Sequence, residues 1–169
     1  MELIRASEVD SAISAINAGK WSTADLVRLA HAVGAFGKNG TSVLGQYGEE
    51  LVAQAFGGTV AGFDTKAYDV QTPHDGDLQV KTFSRGKRPG NIRSFTHDVV
   101  TVEIDAATAA VVSARRYASA DLFAAFQIKY NDTYVALGMS WGGAQGDRFE
   151  RGWSISPGLR FTDITSRFR

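Results

Sequence analysis

The spacing of apolar side chains changes period at Gly57-Gly58. Upstream, from about Ser42 to Phe56, Leu44, Tyr47, Leu51 and Ala55 recur at helical spacing, and the two glycines end the run. Downstream, Thr59 to Phe63, Ala67 to Thr72 and Asp77 to Phe83 read as short strands with side chains alternating between faces. His74-Asp75-Gly76 supplies a turn between the last two, Asp-Gly being a strong hairpin signal. A helix followed by a three-strand meander, then by mixed strand and helix, predicts an α/β domain around one mixed sheet.

Ahead of that helix, Ser7 with Asp10 and Ser22 with Asp25 resemble capping boxes. The first opens a short helix that stops near Gly19. The second opens a helix with Leu26, Leu29, Ala30 and Val33 on one face, ending around Gly34 to Gly37. Gly37 to Gly40 reads as a hinge, so an N-terminal helical segment, 1–40, is expected to precede a main domain, 41–169. Two helices and a turn also suggest helix-turn-helix DNA binding, but the second carries few basic or amide side chains to read bases. Further on, Asp98 to Ile104 and Ala109 to Arg115 are strand candidates, and Ser119 caps a short helix, Ala120 to Phe126. Thr133 to Ser140 and a last stretch near Trp153 to Ile155 read as strands.

Composition narrows the setting. With 169 residues, 44% hydrophobic and 21% charged, the chain has ordinary globular composition and enough length for a core without staples. No cysteine is present, which excludes disulfides and thiolate zinc sites and suits a reducing cytosol. No apolar run approaches the roughly 20 residues of a membrane span, and MELIRASEVD lacks a signal peptide's apolar core. The expectation is a soluble, cytoplasmic protein with no membrane partner. Net charge is zero, yet Lys81 to Arg93 holds five basic residues and no acidic one. A local basic stretch suits a polyanionic partner.

The chemistry concentrates in Gly48-Glu49-Glu50, Tyr68-Asp69-Val70 and Asp77-Leu78-Gln79-Val80-Lys81. Alternation along a strand puts Asp77, Gln79 and Lys81 on one face and Leu78 and Val80 on the other. Pairing through the Asp75-Gly76 turn brings Asp69 close to the start of the third strand. A carboxylate, an amide oxygen and an ammonium then meet. A hard cation such as Mg²⁺ accepts such oxygens and keeps several waters. A lysine beside it can orient a water or offset negative charge.

This pattern resembles the PD-(D/E)xK superfamily of restriction-enzyme-like nucleases, over about Gly45 to Arg85. Helix with Glu, strand with Asp, then hairpin strand with acid-x-Lys is that family's core. Gln in the acid's place is similar to the QxK form found in type IV restriction endonucleases. The resemblance implies a restriction-endonuclease-like fold with a central mixed sheet flanked by helices, and Mg²⁺- or Mn²⁺-dependent cleavage of DNA in restriction, repair or phage defence. By it, Asp69, Gln79 and Lys81 are catalytic. Asp69 and Gln79 hold the metal, and a helix acid completes the shell. Periodicity alone leaves Glu49 and Glu50 open, and the family's Gly-Glu pairing favours Glu49. Many relatives cut both strands as dimers, so a homodimer is one expected arrangement. Tyr68 stands where the family's Pro would be, and the neutral Gln79 leaves the site a charge short unless Glu49 or Asp77 compensates. Arg85, Lys87, Arg88 and Arg93 follow the lysine and are placed to contact phosphates.

Blander readings stand beside these. Asp69, Gln79 and Lys81 can be the solvated face of a strand, and the basic run a solvated loop. Gln79 also fits a nuclease fold that has lost catalysis and serves as a nucleic-acid-binding or assembly module. An accidental motif in a protein-interaction domain is a third reading. His31, His74 and His97 have no triad-like spacing, and Thr82 and Ser84 lack a histidine nearby in sequence, which argues against a serine hydrolase. Trp141 and Trp153 suit packing, or stacking on bases.

Overall fold

Ser22 and Asp25 form the reciprocal cap that their spacing predicts. The Ser22 backbone N–H donates to Asp25 Oδ2 at 3.1 Å, and the Asp25 N–H donates to Ser22 Oγ at 3.2 Å. They open helix α1, Thr23–Ala32. The computed structural model describes residues 19–32, 34, 40–62, 68–92, 94–136 and 154–169, with backbone alone at 40–42 and 130–136. The expected helix before Gly19, Arg93, Trp141 and Trp153 lie outside them, as does most of the expected hinge.

Helix α2, Gly40–Phe56, ends at Gly57, whose φ of +62° is the left-handed backbone that stops a helix. Six strands follow in chain order: β1, Thr59–Val60; β2, Val70–Gln71; β3, Leu78–Ser84; β4, Asp98–Asp105; β5, Ala110–Tyr117; β6, Thr162–Asp163. Helix α3, Ser119–Ala136, joins the last part of the chain, and a 3-10 turn spans Thr165–Phe168. The strands make one sheet in the order β1-β2-β3-β4-β5-β6. Neighbours are antiparallel except β3 and β4, which run parallel from Leu78↔Asp98 to Ser84↔Ile104. The described residues form an α/β fold with a six-stranded mixed sheet and three flanking helices. No helix among the described residues is long and apolar enough to cross a membrane.

Register divides the sheet into two faces. Val80 lies beside Val100 and shares a face with Leu78 and Val102, and this face buries against Val27 of α1 and Leu44, Val52 and Phe56 of α2. The other face carries Gln79, Val99 and Tyr117, and its core is closed by Ile92, Phe95, Leu122 and Phe126. Both α1 and α2 reach the turn between β4 and β5. Arg28 Nε donates to the Thr108 carbonyl at 3.1 Å, and the Tyr47 hydroxyl donates to the Ala109 carbonyl at 2.8 Å. Ala109 itself sits at φ +59°.

Three expectations change. The buried stripe of α2 is Leu44, Val52, Ala53 and Phe56, with Tyr47, Leu51 and Ala55 only partly covered. Gly48 falls on the packed side of the helix, where a Cβ would meet Thr82 Cβ at 2.8 Å and Cγ2 at 2.9 Å. Second, Thr133 to Ala136 belongs to α3 and not to a strand, and 137–140 lie outside the described residues. A helix already nucleated by Ser119 and the alanines after it propagates cheaply through β-branched residues, whose strand preference is weak. Third, Ser154 and Ile155 lie in no strand, and the closing strand is β6, paired to β5 through Arg115↔Asp163.

Candidate active site

The hairpin of β2 and β3 is built around Asp69. Its backbone N–H donates to the Leu78 carbonyl at 2.9 Å, and its carbonyl accepts the Ala61 N–H at 2.9 Å. Its carboxylate does more: Oδ2 accepts the Val80 backbone N–H at 2.7 Å, where a strand neighbour's carbonyl would otherwise serve. A charge-assisted bond of that length fixes the side chain against the middle of the strand bearing Gln79 and Lys81. Thr72 shapes the turn, with Oγ1 donating to the Gly76 carbonyl at 2.7 Å and accepting the Asp75 N–H at 3.0 Å. Arg116 of β5 holds the same turn from outside. Its guanidinium pairs with Asp75 at 2.7 Å and with Asp98 at 2.8 Å.

Glu49 comes to this hairpin from α2. Burial is the largest influence on its carboxyl, and the charge of Asp69 adds to it. Lys81 acts in the opposite sense, and together they raise its pKa to about 7. Glu49 therefore feels the charges of both Asp69 and Lys81. Glu50 turns elsewhere and accepts a hydrogen bond from Gln46 Nε2 at 3.1 Å. Glu49 lies one turn before Val52 and Ala53, at the edge of the packed side, and both it and Glu50 are partly buried.

Gln79 is only 7% exposed, with Nε2 donating to the Ser94 carbonyl at 3.1 Å. Lys81 is half-buried on the same strand face. Asp77 is also half-buried. Of the basic run, Arg85, Lys87 and Arg88 are exposed beyond the end of β3. Arg85 lies four residues past Lys81, roughly 13 Å along an extended chain, and makes a long contact of 4.0 Å to Asp105. His97, which periodicity leaves without a role, reaches the hairpin. Its ring meets that of Tyr68 edge-on at 5.6 Å, next to Asp69. Only the fold of the loop before β4 brings it there.

The chain matches no protein-family model and no curated protein.

Among the described residues no group of three or more His, Asp or Glu side chains is arranged to hold a metal ion. What the site offers a hard cation is two carboxylates, Glu49 and Asp69, and the amide oxygen of Gln79. Carboxylate and amide oxygens are the ligand types that a hard cation accepts.

Proposed function

We propose that the chain is a divalent-metal-dependent nuclease acting on DNA, with its site on the β2–β3 hairpin. The observation that carries this reading is the Asp69 carboxylate, just ahead of β2, pinned by the Val80 N–H at 2.7 Å to the strand that bears Gln79 and Lys81, with the carboxyl of Glu49 on α2 near enough to feel the charges of Asp69 and Lys81. The resemblance to PD-(D/E)xK nucleases assigns chemistry to those same residues. Glu49, Asp69 and Gln79 would hold Mg²⁺ or Mn²⁺. The bound ion supplies Lewis acidity for activating water and neutralising phosphate charge. Asp69 keeps lone pairs for a cation after accepting the Val80 N–H, since a carboxylate has about four acceptor sites. Lys81 brings a positive Nζ to the attacking water and the scissile phosphate. Arg85, Lys87, Arg88 and Arg93 would grip flanking phosphates.

The test is cleavage of a plasmid with Mg²⁺ or Mn²⁺ by the intact chain and by Asp69→Ala and Lys81→Ala. Loss of cutting in both variants supports the assignment, and undiminished cutting by either removes it. A second reading, a catalytically silent module that binds nucleic acid, is favoured by the neutral Gln79 and by the absence, among the described residues, of three His, Asp or Glu side chains grouped to hold a metal ion. It predicts DNA binding that weakens steeply with salt and no cleavage under either ion.

A further inference from the structure

We propose that Gln79 is a positioning residue whose amide N–H ties the Ser94–His97 loop against the hairpin. The neutral side chain is thus required where it stands and is not a degenerate acid. The inference rests on the nuclease reading only in treating that loop as a wall of the active site.

The chemistry of one hydrogen bond carries the argument. Gln79 is buried, and what it faces is the Ser94 backbone carbonyl, 3.1 Å from Nε2. A carbonyl has no proton to give, so the group opposite must be the NH2. A carboxylate at this position would set acceptor against acceptor and bury an uncompensated charge. The amide satisfies Ser94 with its nitrogen and leaves its oxygen for a different partner.

The loop is held at two further points. Phe95 is 2% exposed and packs on Phe126 at 5.0 Å between ring centroids. His97 meets Tyr68, the residue before Asp69. The segment is also braced internally, with Ser94 Oγ and Thr96 Oγ1 2.5 Å apart and the Thr96 N–H donating to Ser94 Oγ. Phe95 anchors it to the core. Gln79 sets its position relative to β3, and His97 then reaches Tyr68.

The experiment uses the full chain without DNA or divalent ion. Amide hydrogen exchange at Phe95, Thr96 and His97 is compared in the parent, Gln79→Glu and Gln79→Met. Both substitutions remove the donor, so exchange at these amides rises about tenfold while β4 and β5 amides keep their protection. The His97 ring protons, shifted by the Tyr68 ring in the parent, move toward unperturbed positions in both variants. In the parent, one proton of the Gln79 side-chain NH2 exchanges slowly. Parent-like exchange in Gln79→Glu, or a fast-exchanging Gln79 side-chain amide, overturns the proposal. If Gln79→Met does not fold, Gln79→Glu and the parent signal decide it. Absence of DNA cleavage bears on the nuclease reading alone, and failure here leaves that reading standing.

Discussion

Substituting Glu49 by Gln should remove a pH dependence of stability that the fold builds into the site. Its carboxyl rises from 4.5 to about 7 because it is partly buried and faces the charge of Asp69. At about 1.4 kcal/mol for each tenfold change in proton affinity, that rise is capped near ~3 kcal/mol. Glu49 remains half-exposed, and solvent screening reduces the expectation to about 1–2 kcal/mol. The sign follows from linkage: the folded state holds this proton more tightly than the unfolded chain does. The contribution is fully present below pH 4.5 and is lost as pH rises through about 7. Asp25, Asp75 and Asp163 are held below the usual carboxylate range by hydrogen bonds from Ser22, Arg116 and Thr165, respectively. Their contributions have the opposite sign and fall away only in stronger acid, outside this window. Urea unfolding of the parent and Glu49→Gln at pH 5, 6, 7 and 8 is the assay. The parent should lose stability across the series relative to the variant, and the variant should be the more stable at pH 8. Parallel curves for the two proteins would refute the raised pKa of Glu49.

Other substitutions test the frame around the site. Thr82 Oγ1 is buried without a hydrogen-bond partner, so Thr82→Val should stabilise by about 1 kcal/mol in the same assay. Gly48→Ala places a methyl against Thr82. It should destabilise by about 1–2 kcal/mol despite the better helix propensity of alanine, and Thr82→Ala should relieve part of that loss. Ala109 at φ +59° carries left-handed strain, so Ala109→Gly should raise the thermal midpoint, a gain of up to about 1 kcal/mol. Arg116→Met removes the guanidinium partner of Asp98 and the nearer of two for Asp75, and should cost about 1–3 kcal/mol, between the exposed and buried ion-pair ranges.

Local signals were legible where local chemistry decides. The Ser22 and Asp25 cap, the stop at Gly57 and the inward Leu78 and Val80 depend on residues within a few positions. So does the hairpin that brings Asp69 to β3. The parallel pairing of β3 with β4 was not legible, because the connection has neither a regular period nor a turn signature. Gly48 could not be seen as a contact, since its value lies in what Thr82 needs. Nor could the partnership of Gln79 with a backbone carbonyl fifteen positions away. His97 is legible only as a residue that precedes a strand and could approach the site, and its contact with Tyr68 is not. The tail of α3 was misread because threonine and valine there favour a strand in isolation, and the helix ahead of them overrules that preference.

Arg116 has one more consequence. It sits on β5 yet grips Asp75 in the turn between β2 and β3, past the intervening β4. Arg167 of the 3-10 turn reaches the same carboxylate at 3.6 Å. A small hairpin hanging from one neighbour would ordinarily fray by itself. Here its tip is bolted to elements that arrive some forty and ninety residues later along the chain. During synthesis, that tip therefore has no fastening until β5 has been made and folded back, so the hairpin should acquire its native rigidity late and in step with the far side of the sheet.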